Sequence, residues 1–266
     1  MRDLRLGAGY CPAAHLSGWP AATSKTPGAN KMKTRHLFLL VSLFIGCSQP
    51  TPRNLRELVQ QGDAFLSRET MSPYSGPVFE FFPDDTTRIQ RTGTLKEGRF
   101  HGPYESYADG QVTKGVFADG KLDGPQETHR ANGVLATRMS YVRGVLASEE
   151  TFGDNGKLVT MFSYADGVLS GPFESHLPLY DDWPGSYEKG SYKDGKKEGA
   201  FEDFYASGAL RARGTYMGGE LEGAVETYEE DGQLDLRGSF HKDARCGEWH
   251  QLKGQDTVRS TYPPCP

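Results

Sequence analysis

The residues best suited to metal, redox or nucleophilic chemistry in this chain are seven histidines and four cysteines. His15, His36, His101, His129, His176, His241 and His250 never stand four apart around a glutamate, the spacing a helical zinc site needs. No two cysteines form a CxxC pair, and neither a GxxxxGK[ST] phosphate loop nor a GxSxG nucleophile elbow occurs. Residues 218–225, GGELEGAV, carry the glycines of a phosphate loop without its lysine and read as a turn between repeats. His129 and His176 fall where Tyr107 and Phe204 stand in other copies of the repeat, which assigns them to packing. Carboxylates are abundant, yet no pair breaks the repeat pattern as an acid/base couple would. The expectation is a non-enzyme with no catalytic residue, no metal and no cofactor.

The totals narrow the partners. A net charge of -5, mixed in sign, gives no basic footprint for nucleic acid. Glycine, at 33 of 266 residues, is enriched, and aromatics reach 11% while hydrophobic residues total only 36%. That balance suits a thin sheet with an aromatic face rather than a large aliphatic core.

Lys33 and Arg35 precede one short apolar run from Leu37 to Ile45, followed by Gly46 and Cys47. The run is too short for a permanent membrane span, which needs about 20 apolar residues. It fits the core of a signal peptide over 32–46. "FIGC" resembles a bacterial lipobox, which makes Cys47 the expected lipidation site and new N-terminus, although Phe44 replaces the usual leucine. Met32 then reads as the initiator, and 1–31 as an upstream extension without periodicity. Residues 47–72 read as a tether with a short helical cap, because Asn54 is placed to cap a turn with Glu57 three residues on. Cys246 and Cys265 remain as a pair, expected to be disulfide-bonded in an oxidising compartment.

The elements that carry these residues repeat. Gly76, Gly102, Gly124, Gly171, Gly199, Gly223 and Gly247, with Ser148 in place of one more, recur every 22 to 28 residues. Turns within the units fall at Asp109-Gly110, Asn132-Gly133, Asn155-Gly156, Ser207-Gly208 and Asp231-Gly232, a chemistry that favours primed hairpin turns. Counting out from these turns sets Glu105 opposite Lys114, Glu127 opposite Arg138, Glu202 opposite Arg213 and Glu226 opposite Arg237. Opposed unlike charges hold register. The same count sets Tyr104, Phe201 and Val225 against Gly115, Gly214 and Gly238, so that bulky side chains cover glycines. A stripe of Phe117, Tyr141, Tyr164, Tyr192, Tyr216 and Phe240 is the expected core.

The pattern GxxxxGxLxGPxExxxxxG over 73–249 resembles MORN repeats, and more closely the YwqK-type antitoxin family, whose repeat region "SPYSGPVFEFF" at 72–82 also matches. The resemblance implies an elongated, single-layer, antiparallel all-β sheet of tandem β-hairpin, MORN-like repeats over 73–246, with 247–266 as a C-terminal cap lacking a second turn glycine. It also implies a cytoplasmic toxin as partner, which an export signal contradicts. The leading expectation is therefore a lipid-anchored protein of the bacterial envelope, periplasmic or on the outer membrane of a Gram-negative host because Ser48 lacks the retention signal of an aspartate. Its repeat sheet would bind or scaffold a protein partner without catalysis. The alternatives are a cytoplasmic YwqK-like antitoxin, and a glycan-binding or hydrolytic site in the irregular 177–187 loop, where Tyr180, Asp181, Asp182, Trp183 and Tyr187 cluster.

Overall fold

The computed structural model describes residues 50–176, 186–254 and 256–266, with Thr51–Pro266 as one compact unit. Cys47, the segments 1–31 and 32–46, and Tyr180, Asp181, Asp182 and Trp183 lie outside the described residues. The unit is nearly all β, with no α-helix among the described residues and no helix there long and apolar enough to cross a membrane. From Gly76–Phe81 to Asp256–Thr261, each main strand pairs antiparallel with its neighbours in sequence. Only Arg53–Asn54 runs parallel, alongside Val78 and Phe79. The sheet is long and does not close into a barrel.

Two turn chemistries alternate. Primed turns, with positive φ at both central residues, occur at Asp109-Gly110 and at the turns that lead into the next unit, such as Asp119 (φ 49) with Gly120 (φ 83) and Asp194 (φ 51) with Gly195 (φ 80). The expected primed turns at Asn132-Gly133, Asn155-Gly156, Ser207-Gly208 and Asp231-Gly232 are not formed. There only the glycine is left-handed, and the loop has three residues. At the first of these, Arg130 N–H donates to Val134 O at 2.9 Å and Gly133 N–H to Arg130 O at 2.8 Å. This is the geometry of a turn followed by a glycine bulge. The reason is local: Asn132, Asn155 and Asp231 use Oδ1 to accept the N–H two residues on, at 2.9–3.0 Å, which holds them right-handed.

The recurrent glycines are not turn residues. Gly102 (φ 83), Gly124 (φ 105), Gly199 (φ 82) and Gly223 (φ 78) are left-handed bulges inside strands, which explains why glycine recurs there. The residue before most of the bulges caps the turn of the next unit, the exception being Ser170 before Gly171 (φ 105), which makes no such bond. Ser75, Asp123, Glu198 and Glu222 accept the N–H of Glu97, Arg143, Gly218 and Lys242 at 2.7–3.2 Å, and His101 Nδ1 accepts that of Asp119 at 3.4 Å. The second residue of five of these turns then donates back one unit: Gly98 to Tyr74 O, Gly120 to Phe100 O, Gly144 to Leu122 O, Gly195 to Leu169 O and Gly219 to Lys197 O, at 2.7–2.9 Å. A ladder of turns thus runs along one side of the sheet.

Packing is concentrated at the ends. Residues 50–72 form a 3₁₀ turn, Leu55–Glu57, and a small hairpin, Val59–Gln61 with Ala64–Leu66. Asn54 accepts from Arg56 N–H at 3.0 Å. Leu55 and Leu58 join Val78 and Leu95 in a buried cluster, so the described part of the expected tether is a packed cap. Elsewhere the aromatic stripe is only half-buried. Its rings lean on the residues that cover glycines: Phe117 on Tyr104, Tyr192 on Phe173 and Tyr216 on Phe201, each at 4.8 Å. The buried members are Phe173, Val225 and Trp249 of that second row, so the core is the pair of rows and not the stripe alone. At the far end, Gly254 (φ 63) turns the chain from Ala244–Lys253 into Asp256–Thr261, so the C-terminal cap has the second turn glycine that the repeat pattern does not mark. Cys246 and Cys265 are bonded, with Cα atoms 5.0 Å apart.

Candidate functional site

Because side chains alternate between faces along a strand, the charged positions share the face opposite the covered glycines. One row crosses the sheet in register: Glu105, Lys114, Glu127, Arg138, Glu150, Met161, Glu174, Lys189, Glu202, Arg213, Glu226 and Arg237. Glu150 escaped the sequence count because the turn at Asn155-Gly156 sets it opposite Met161 and not a cation, and Glu174 and Lys189 escaped it because their unit lacks the Asp-Gly or Asn-Gly turn from which the count starts. Lys114 pairs with Glu105 at 3.0 Å, and Arg138 bridges Glu127 at 2.9 Å and Glu150 at 3.0 Å. Lys189 reaches Glu174 at 3.2 Å. Arg213 faces Glu202 but bonds Glu226 on its other side, at 2.6 Å, and neither Glu202 nor Arg237 makes an ion pair among the described residues.

Several carboxylates are gripped from two sides. The Tyr107 hydroxyl, with Lys114, holds Glu105 below the usual carboxylate range, and the Tyr228 hydroxyl, with Arg213, does the same for Glu226. For Glu174, burial pushes the other way but is outweighed by His176 and Lys189. Depressed carboxylates contribute stability that is present above the ordinary value near 4.5 and is lost as pH falls through the folded value. A urea midpoint lower at pH 3 than at pH 5 is the expected result, with a smaller drop in a Glu105→Gln, Glu226→Gln double variant. The pairs are exposed, and such pairs contribute about 0.2–1 kcal/mol each. Arg138→Ala, which removes two of them, should cost about 1 kcal/mol at low salt and less in molar salt, as urea melts at two ionic strengths would show.

Of the five loop residues singled out from sequence, Tyr187 is described. It is not in a loop: strand pairing continues to His176 opposite Tyr187, which places it in Tyr187–Lys193. Its ring is stacked between His176 at 4.7 Å and Phe204 at 4.6 Å, so both faces are covered. His176 Nε2 lies 2.6 Å from Glu174 Oε1 and is tied to the charged row. No group of three or more histidine, cysteine, aspartate or glutamate side chains among the described residues is arranged to hold a metal.

Open clefts also mark the surface of the described residues. One of 540 Å³ lies against Pro77, Phe79, Phe81 and Ile89 of the first hairpin, one of 450 Å³ against Leu234 and Gln251 near the last, and one of 480 Å³ between the turns at 143–144 and 166–167. No family model and no curated protein matches this chain.

Proposed function

We propose that the protein is a lipid-anchored component of a bacterial envelope, related to MORN-repeat proteins, whose sheet binds a protein partner without catalysis. The observation that carries this reading is the open sheet itself. Equivalent side chains stand at equivalent places in successive units, and every carboxylate of the charged row except Glu202 is tied to a strand neighbour. Such a surface suits recognition over many contacts. The Cys246–Cys265 bond supports an exported location, because disulfides persist in oxidising compartments.

The test is the mass of the mature N-terminus in membrane and soluble fractions, beside a Cys47→Ala variant. A diacyl or triacyl mass on Cys47, lost in the variant, is the expected result. An unmodified chain in the soluble fraction would overturn the anchored reading and make a cytoplasmic toxin the first partner to seek.

A further inference from the structure

The turn ladder has one break. At Asp166-Gly167 the turn itself is regular, with φ of 50 and 81. Three features that hold most of the other turns are missing there together, whereas Asp194-Gly195 lacks the side-chain cap alone. No bond runs from Gly167 to Leu146, the counterpart of Tyr74, Phe100, Leu122 and Lys197. The residue that would cap the turn is Ala147, whose methyl cannot accept a hydrogen bond, and it is followed by Ser148 where other units have the left-handed glycine. Lastly, the residue after each turn normally packs on the next turn's glycine: Arg99 on Gly120, Lys121 on Gly144, Val168 on Gly195 and Lys196 on Gly219. A Cβ at those glycines would meet its neighbour at 3.3–3.7 Å, whereas one at Gly167 would have nothing within 4 Å, so Val145 does not reach it.

The 480 Å³ cleft opens at this break, lined by Lys121, Val142, Arg143, Val145, Ala147 and Asp166 among others. Val142 and Val145 are 53% and 45% exposed, and Val168 beside them is 48% exposed. The Lys121 and Arg143 side chains make no ion pair among the described residues, although both stand at the rim. The break therefore combines a backbone donor and acceptor without their usual partners, an apolar floor and two cations, Lys121 and Arg143, that outnumber the one carboxylate in the lining, Asp166.

We infer that this break is the recognition site, and that it takes an extended acidic segment of a partner protein. The segment's carbonyl accepts from Gly167 N–H, and its amide donates to the Leu146 carbonyl, as the missing turn-to-turn contact would have done. Its apolar side chain lies on Val142 and Val145, and its carboxylate pairs with Lys121 and Arg143. This is strand addition reduced to one bond pair, with specificity set by the side chains on either side. The inference rests on the protein-binding reading above and names where the partner sits.

The probe is a dye-labelled hexapeptide of alternating valine and glutamate, titrated into the full chain carrying Cys47→Ala so that lipid plays no part. Expected are saturable binding and slowed amide exchange at Asp166 and Gly167. The double variant Ala147→Glu, Ser148→Gly rebuilds the cap and bulge seen at Glu198-Gly199 and Glu222-Gly223. It should weaken binding by about ten-fold or more while leaving the thermal midpoint unchanged or higher. Lys121→Glu with Arg143→Glu should abolish binding and favour the lysine counterpart of the peptide. No binding, equal binding by the rebuilt variant, or protection only elsewhere would each overturn the site. A photo-crosslinking residue at Val145, and another at Met217, separate this failure from that of the broader reading. Protein crosslinks at Met217 alone overturn the site and keep a protein partner, crosslinks at neither overturn both, and lipid adducts alone at Val145 replace the peptide with a membrane. A protein adduct at Val145 that the rebuilt variant abolishes supports the site.

Discussion

Gly238→Ala is expected to be among the most damaging single-methyl changes in the sheet. The indole of Trp249 lies across Gly238, and a Cβ there would overlap the ring. Trp249 is 3% exposed, donates from Nε1 to Cys246 O at 3.2 Å, carries the Arg245 guanidinium 4.4 Å from its centroid and meets Phe240 edge-on at 5.1 Å. The ring cannot swing away without releasing all of these. Overpacking of this kind costs about 1–3 kcal/mol, and the upper end applies where the obstructed side chain is itself held on several sides. Gly153→Ala is the control: its φ is ordinary and its nearest neighbour is the Asn155 side-chain oxygen at 3.0 Å, so its cost should stay below about 1 kcal/mol. Urea melts of both variants check the difference. Adding Trp249→Ala to Gly238→Ala should recover part of the loss through a coupling term, and strict additivity of the two changes would refute the contact as the cause.

The second large effect is expected from Cys265→Ala. The bond spans 19 residues and ties the chain end back over the last hairpin, where Gly247 N–H donates to Pro263 O and Tyr262 N–H to Gly247 O, both at 2.9 Å. A loop of that size is worth about 3 kcal/mol in the chain-entropy account. Reductant should lower the unfolding midpoint of the wild type to that of the variant and leave the variant unmoved. Equal midpoints with and without reductant in the wild type would show that the backbone bonds alone hold this end.

Much of this architecture is written in the sequence because a sheet face has a period of two and a turn fixes the count. Glu127 and Arg138 stand opposite each other as turn arithmetic requires, and so do Tyr104 and Gly115. Side-chain choice among equal neighbours was not legible: Arg213 has a glutamate on each side, and only the direction of its guanidinium selects Glu226. The loop type was not legible because Asn-Gly serves a primed turn and a bulged one equally, and the deciding bond is donated by Val134 N–H, beyond the pair, to Asn132 Oδ1. The caps of the turn ladder were missed because Ser75, His101, Asp123, Glu198 and Glu222 share an acceptor and not a residue type. Their common signal is position, one residue before the bulge glycine. Read that way, Ala147 stands out in the sequence as the one apolar residue before the Ser148 that replaces a glycine, although the cleft it opens does not.

From Gly76–Phe81 onward, pairing between main strands adjacent in sequence has a consequence for how the chain is made. Every ladder from Gly76–Phe81 onward closes over a short loop, so few contacts wait for distant segments to arrive. The hairpin at 59–66 and the cluster of Leu55, Leu58, Val78 and Leu95 are assembled from the earliest part of the unit. They give the next hairpin a finished edge on which to form. The unit can thus zip from its first residues to its last as they emerge, and the late disulfide then fastens the final turn of the zip.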